Sequence, residues 1–352
     1  ILLQQSVDGT SNIQYSLPVC LGGLGIRSSV DISIPAYLSS SYGTIAGGNA
    51  LFPTLNPSQD NSFFNSAKNN WLDRLGPTAE LPGNQSIQAG WDLPYCQKKY
   101  DDLLSSAQSK AAKARLKAVA SPHSSDWLNA VPVASLGLKL SDSNIRIACG
   151  LRLGSPLCHI HLCHCGKRVD ESGTHGLSCQ KSIGRLARQD HIIKLIKQAL
   201  GSAEITSRLE PKGTSIQDRK RPDGISYFPF KNGRCLAWDY TCPDTLARSH
   251  IKKSTEAGKA ASRAEDGKLK KYRHLNEDYY VVPIGIETLG SFGPHAQDFI
   301  KDIGHRIMES TGEKKSTSYL MQTIGMAIQR GNSCCILETV LDSRKLDEVY
   351  YL

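Results

Sequence analysis

The sequence predicts a mixed α/β (α+β) protein, and three observations predict it. Apolar residues recur at helical spacing over 184–200, alternate as in strands over 225–241, and return to helical spacing from 249 onward. The triplet Lys231-Asn232-Gly233 joins two apolar runs as a hairpin turn. The order that results, helix, hairpin, helix, strand, helix, is that of an α/β unit. A chain of 352 residues is long for one core. We therefore expect three regions: a mostly helical part at 1–145, a cysteine-rich knuckle at 146–182 and the α/β unit at 183–352.

Along the chain, Leu17 to Arg27 is a glycine-punctuated turn, and Ser28 or Asp31 caps a helix through Ile32 to Leu38. Residues 39–66, rich in Ser, Gly, Asn and Pro, are expected to be a linker or irregular surface. A helix is predicted from Tyr95 to Ala120, stopped by Pro122, followed by buried connecting turns at Trp127 to Pro132 and Leu136 to Leu140. The clearest helix is Gly184 to Leu200, with Leu186, Ile193, Ile196 and Leu200 on one face, Arg188 and Lys194 away from it, and Gly201 at its end. Then come strands Ile225 to Phe230 and Arg234 to Thr241, a basic helix from about Ser249 to Tyr272, a buried strand Val281 to Thr288, and helices Pro294 to Ser310 and Ser316 to Arg330. Tyr100-Asp101-Asp102 superficially matches the paired carboxylates of a polymerase palm, but lysines on both sides replace the apolar strands such a site needs. It is read as helix, and no polymerase site is assigned.

The formal charge is +9, with 42 Lys and Arg against 33 Asp and Glu. Residues 1–150 carry 11 basic and 10 acidic side chains, so the excess belongs to the second part, where a polyanion such as nucleic acid is the natural partner. No run approaches the roughly 20 apolar residues that span a bilayer, so a membrane role is not expected. The chain opens at Ile1 with no signal-like segment and is expected to be the C-terminal piece of a longer, intracellular protein in a reducing compartment.

Four of the 11 cysteines (Cys158, Cys163, Cys165 and Cys179) fall within 22 residues together with four histidines. Cys163-His164-Cys165-Gly166, followed by His175 and Cys179, spells C-x-C-x9-H-x3-C, which offers three thiolates and one imidazole to a tetrahedral zinc ion. One residue separates the first two cysteines where two are usual, so Cys158 and His161 are kept as alternate ligands. The segment has little apolar content, and zinc is expected to contribute much of its folding free energy.

A second group is acidic: Glu210, Arg221-Pro222-Asp223 and Trp238-Asp239-Tyr240-Thr241. Carboxylates that converge on magnesium or manganese beside a cation can ionise a water and offset charge growing on a phosphate. A three-residue turn at 231–233 would set Asp239 opposite Ile225, making Asp223 its diagonal neighbour on the same side of the sheet. A two-residue turn would set the acids on opposite faces unless a bulge resets the register.

Pro222-Asp223, fifteen residues, then Asp239-x-Thr241 resembles the PD-(D/E)XK restriction-like nuclease signature, with threonine in the place of its lysine. In order along the chain, Leu17 to Arg27, Trp127 to Leu138, Gly150 to Cys179, Arg208 to Pro211, Arg221 to Ser226, Trp238 to Thr245, Lys268 to Tyr272 and Ile286 to Gly293 resemble the C-terminal region of reverse transcriptases from site-specific non-long-terminal-repeat retrotransposons. That resemblance implies a helical linker, a zinc knuckle and a restriction-like endonuclease that nicks target DNA to prime reverse transcription. It implies metal binding by Asp223 and Asp239, with Lys271 or Lys268 as the cation on the following helix, and support from Glu210 and Glu287. It further implies target DNA and the element's RNA as partners, an upstream polymerase domain and nuclear localisation. Arg185, Arg188, Lys194, Arg221, Lys270 and Arg273 are the expected nucleic-acid contacts. The chain departs from the pattern at the short Cys163–Cys165 spacing and at Gln189, which follows Arg188 where histidine is expected. An alternative reading is a nucleic-acid-binding remnant with a structural zinc.

Overall fold

The computed structural model describes residues 9–51, 62–76, 78–211, 221–251 and 256–340. It divides into two units, residues 8–107 and residues 108 onward. The knuckle thus shares a unit with everything that follows it, and so does the stretch 108–145 that was expected to end the helical region.

The first unit holds α1 (Gly9–Ser16), α2 (Ser29–Leu51), α3 (Ser62–Leu75) and α4 (Gln88–Ser106). Helix α2 runs on past Leu38 through glycines and serines of poor helix propensity, where a linker was expected. Packing explains the difference. Leu38, Phe64, Trp71 and Trp91 are buried together, Tyr42 stacks on Trp91, and the Trp71 indole donates to the Trp91 carbonyl at 2.8 Å. Burying three large aromatic side chains outweighs a propensity deficit of about 0.5–1 kcal/mol per unfavourable residue. Tyr100, Asp101 and Asp102 lie within the helix α4.

In the second unit the expected Tyr95–Ala120 helix is broken. Helix α5 (Lys110–Val119) starts afresh because the Ser109 side chain accepts from the Ala112 amide, a local N-cap that competes with continuation. After α6 (Asp142–Leu153) come the two-residue strands β1 (His161–Leu162) and β2 (Arg168–Val169), and the single turn α7 (His175–Ser178). Then follow α8 (Ile183–Ser202), β3 (Ser207–Leu209), β4 (Gly224–Lys231), β5 (Arg234–Thr241), α9 (Arg248–Ile251), α10 (Lys259–Lys271), β6 (Tyr279–Gly285), α11 (Pro294–Thr311) and α12 (Ser316–Leu337). The basic helix expected from Ser249 to Tyr272 is interrupted at Gly258, whose φ of 74° leaves the helical region before α10 begins.

Strands β3 to β6 form one mixed sheet in that order: β3, β4 and β5 antiparallel, β5 and β6 parallel. The parallel pair requires a crossover, and α10 supplies it. Alternation along β5 sorts the side chains. Leu236, Trp238 and Tyr240 join Val282 and Ile284 of β6 in a core closed by α8, α11 and α12, whereas Asp239 faces α10.

The β4–β5 turn has two residues, Asn232 and Gly233, both with positive φ (52° and 72°), closing Lys231 onto Arg234. The expected three-residue turn is therefore not formed. Irregular pairing around Pro229 then shifts the register until Ile225 meets Ala237 and Gly224 meets Trp238. Continued one step past the strand, that register sets Asp223 beside Asp239, and the Asp223 carboxylate takes the neighbouring Tyr240 amide at 2.6 Å. The bulges restore the parity that the short turn would have reversed.

Gly224 is required by the core itself, since an added Cβ would lie 2.0 Å from the buried Trp238 indole. Gly224→Ala should destabilise the second unit by about 1–3 kcal/mol through overpacking, and a thermal melt at or above wild type would contradict that packing account.

Candidate functional site

Two groups of chemistry-bearing side chains assemble in the second unit. The first is the knuckle. Strands β1 and β2 pair His161 with Val169 and Leu162 with Arg168. Between them Gly166, at φ 84°, lets the chain fold back so that its amide reaches the Cys163 carbonyl at 2.7 Å. His175 opens α7 and Cys179 ends it. The ligand atoms of Cys163, Cys165, His175 and Cys179 lie within 4.8 Å of one another and can hold a metal ion. The Cys163 and Cys179 sulfurs are 3.9 Å apart, and Cys165 Sγ is 3.2 Å from His175 Nε2. A tetrahedral edge between two sulfurs at about 2.3 Å from zinc measures about 3.8 Å, which the sulfur pair matches.

The surroundings shift three of the four, not all of them toward the ligating form. Burial pushes the Cys163 thiol up to about 11, against the thiolate that a zinc ion would take, and holds His175 below the ordinary histidine range, toward the neutral imidazole. The Lys167 backbone amide lowers Cys165 toward thiolate. The expected alternates are engaged elsewhere. Cys158 Sγ reaches the Asp170 carbonyl, while His161 contacts the His159 carbonyl and, at 3.0 Å, the Thr339 hydroxyl. Apart from the cysteines, the buried cluster here contains only Val169.

The second group surrounds Asp239, a buried carboxylate on the α10 face of the sheet. Its Oδ1 accepts from the Tyr272 hydroxyl at 2.7 Å, and its Oδ2 faces the Lys268 ammonium as an ion pair, with no directed hydrogen bond of its own. Asp223 Oδ2 accepts from the Tyr240 amide at 2.6 Å. Lys271 donates to the Tyr272 hydroxyl at 2.5 Å and sits over that ring, and the same hydroxyl lies 2.6 Å from the Arg221 carbonyl. Tyr272, which the sequence reading left unassigned, thus ties α10 to both acidic segments. Its position directly after the lysine run was the only available signal.

Burial first, and then the Asp239 charge, push the Asp223 carboxyl up to about 6; the Tyr240 amide, Lys268 and Lys271 oppose the rise only in part. An acid whose folded pKa is raised costs stability that is full above about 6 and fades as pH falls from there toward the ordinary value of 3.8. Asp223→Asn keeps an acceptor for the Tyr240 amide and removes the charge. The metal-free variant should therefore melt higher than wild type at neutral pH, by about 1–3 kcal/mol for this half-buried group, and a lower melt would contradict the electrostatic account.

The remaining expected residues divide. The Glu210 carboxylate is exposed and paired with Arg221 at 2.7 Å, although its amide donates to the Asp223 carbonyl. Glu287 does not join the acids. Its buried carboxylate accepts the Ala260 and Ala261 amides and caps the start of α10. Arg188 is buried, not a surface contact, and its guanidinium donates to Asn332 at 2.6 Å. The buried face of α8 is Gly184, Arg188, Ile192, Ile196, Ala199 and Leu200, whereas Leu186, expected inside, is 68% exposed. Sequence spacing favoured Leu186 because the polar partner that accommodates Arg188 comes from distant α12. Arg185 donates to the Cys179 carbonyl, Lys194 pairs with Asp190 on the helix surface, and Lys270 and Arg273 are exposed at and beyond the end of α10. No family model matches the chain, and no curated protein matches it in sequence.

Proposed function

We propose that the second unit is a magnesium-dependent DNA endonuclease of PD-(D/E)XK type with a structural zinc knuckle. The observation that carries this reading is the meeting of Asp223 and Asp239 on one sheet face with Lys268 directly on Asp239. Two carboxylates, with waters and substrate phosphate completing the shell, are a usual complement for magnesium. The buried Asp239 Oδ2 would exchange its ion pair with Lys268 for the ion, with no directed hydrogen bond to break. A bound ion would supply a water ionised near neutral pH and charge to offset the developing phosphorane. The chain's own groups do the rest: Asp223 and Asp239 hold and orient, Tyr272 fixes the Asp239 rotamer, and Lys268 supplies positive charge beside the scissile phosphate. Thr241 lies two residues past Asp239 on the same face, in the place of the signature lysine, and α10 brings Lys268 there instead. Zinc at the Cys163, Cys165, His175 and Cys179 group fits a thiolate-rich set in a segment with almost no apolar core.

In a protein of the retrotransposon type that the sequence resembles, such a nick would expose the 3′ hydroxyl that primes copying of the element's RNA by an upstream polymerase domain. The occupation of Lys268 by Asp239 and the threonine at 241 favour one second reading, a binding remnant that has lost cleavage. Magnesium titration followed by thermal melting tests the site. Melting should rise with magnesium in wild type, by about 2–3 kcal/mol at a hundredfold excess over Kd, and stay flat in Asp239→Ala. An equal rise in both proteins would overturn the assignment.

A further inference from the structure

The face of the sheet that carries Asp239 continues beyond the carboxylates. Arg208 of β3 pairs across with Ile225 of β4, and Ile225 with Ala237 of β5, so these three share a face with Asp239, two residues on from Ala237. The Arg208 guanidinium lies over the Tyr227 ring, 6.0 Å from its centroid, which puts that ring on the same face. Here β4 departs from regular pairing. The Ser226 hydroxyl takes the Leu236 amide and donates to the Phe228 carbonyl, Tyr227 bonds to the Thr206 carbonyl, and the register slips around Pro229. The bulge turns two aromatic side chains outward: Tyr227 is 54% and Phe228 68% exposed. Lys231 and Arg234, the residues on either side of the turn, lie over Tyr280 on the core face of the sheet, so Arg208 is the cation that shares the face with Tyr227.

Exposed aromatic rings with an arginine over one of them, beside the proposed phosphate-cutting centre, have a specific physical use. Every base has a π face, so stacking on Tyr227 or Phe228 holds an unpaired strand without reading sequence, while Arg208 can meet a phosphate beside them. A duplex keeps its bases stacked internally and cannot use the rings. Two residues of strand span about 7 Å, close to the spacing of consecutive phosphates in an extended strand, so Tyr227 lies a few nucleotides from Asp223.

We infer that Arg208, Tyr227 and Phe228 form a stacking platform for single-stranded DNA, and that the substrate class of the proposed nuclease is DNA with an unpaired segment next to the cleaved phosphate. The substrate part of this inference rests on the nuclease reading; the platform itself does not.

The test measures binding of labelled oligo-dT and of a duplex of equal length by fluorescence anisotropy, for wild type and for Tyr227→Ala/Phe228→Ala. Both positions are exposed, and unchanged melting checks folding. The double variant should bind oligo-dT about 10- to 100-fold more weakly, with duplex affinity within about twofold of wild type. Tyr227→Phe and Phe228→Tyr should retain binding. Equal loss on duplex and single strand, or no loss on either, would overturn the platform. Tighter binding of oligo-rU than oligo-dT through the same rings would overturn the assignment to DNA. Cleavage assays with Asp239→Ala keep the two claims apart. Loss of nicking with intact oligo-dT binding supports both, whereas wild type that binds oligo-dT through Tyr227 and Phe228 but never nicks sinks the nuclease and leaves the platform standing.

Discussion

Asp239→Ala should abolish cleavage, lowering the nicking rate at least about 10³-fold while leaving DNA affinity unchanged or slightly raised. The carboxylate is buried, has one oxygen on Tyr272 and the other on Lys268, and so joins the sheet to α10 and the residue after it. Removing it takes away half the charge that would hold the ion, and it deletes the anchor of the nearby cation. The lysines separate by geometry. Lys268 pairs with Asp239 directly, so Lys268→Ala should cost about 10²- to 10³-fold in rate, the usual scale for one electrostatic partner of a transition state. Lys271, the first choice from sequence, donates to the Tyr272 hydroxyl that in turn donates to Asp239, and Lys271→Ala should cost less than Lys268→Ala. Single-turnover nicking rates with saturating magnesium measure all three. A larger loss from Lys271→Ala would reverse the assignment.

Stripping metal from the knuckle should have the largest effect on stability. Residues 158–179 bury Val169 and three cysteines and little else in their own cluster, so cross-linking by an ion would stand in for a hydrophobic core. The consequence extends further, because Leu157 and Leu177 pack with Ile147, Leu151, Cys335 and Ile336, and Glu338 at the end of α12 accepts the Gly184 amide. A strong chelator should therefore lower the melting temperature by about 10 °C or more. Purified protein should contain about one zinc per chain, falling below half in Cys163→Ser or Cys179→Ser. Cys158→Ser and His161→Ala should leave zinc content unchanged, since those side chains bond to protein groups. Equal depletion by Cys158→Ser would show that the ligand set is wrong.

How much could be read from the sequence follows from where each determinant lies. The knuckle was legible because its four ligands fall within 17 residues, and spacing alone brings them together. The strands of the hairpin were legible from alternation, but its register was not. Asn232-Gly233 selected a two-residue turn, and only the bulges around Pro229, set by Ser226 bonding across to Leu236, returned Asp223 to Asp239. Arg188 was misplaced because its partner Asn332 lies 144 residues away, and helix periodicity counts arginine as outward. Glu287 looked like a further acid for the site, whereas its charge complements the amides that begin α10. The helix over 39–51 was missed because local propensity argued against it, and the tryptophans that hold it come from α3 and α4. Strand β3 has three residues and no pattern of its own; pairing with β4 defines it.

The central claim is that Asp223 and Asp239 make a metal-dependent nuclease, and one measurement addresses it most directly: conversion of supercoiled plasmid to the nicked circle by purified protein, in magnesium and in chelator, with Asp239→Ala run alongside. The account predicts nicked product from wild type with magnesium, and none in chelator or from the variant. Folded, zinc-loaded wild type that binds DNA and leaves the plasmid supercoiled under both magnesium and manganese would contradict it.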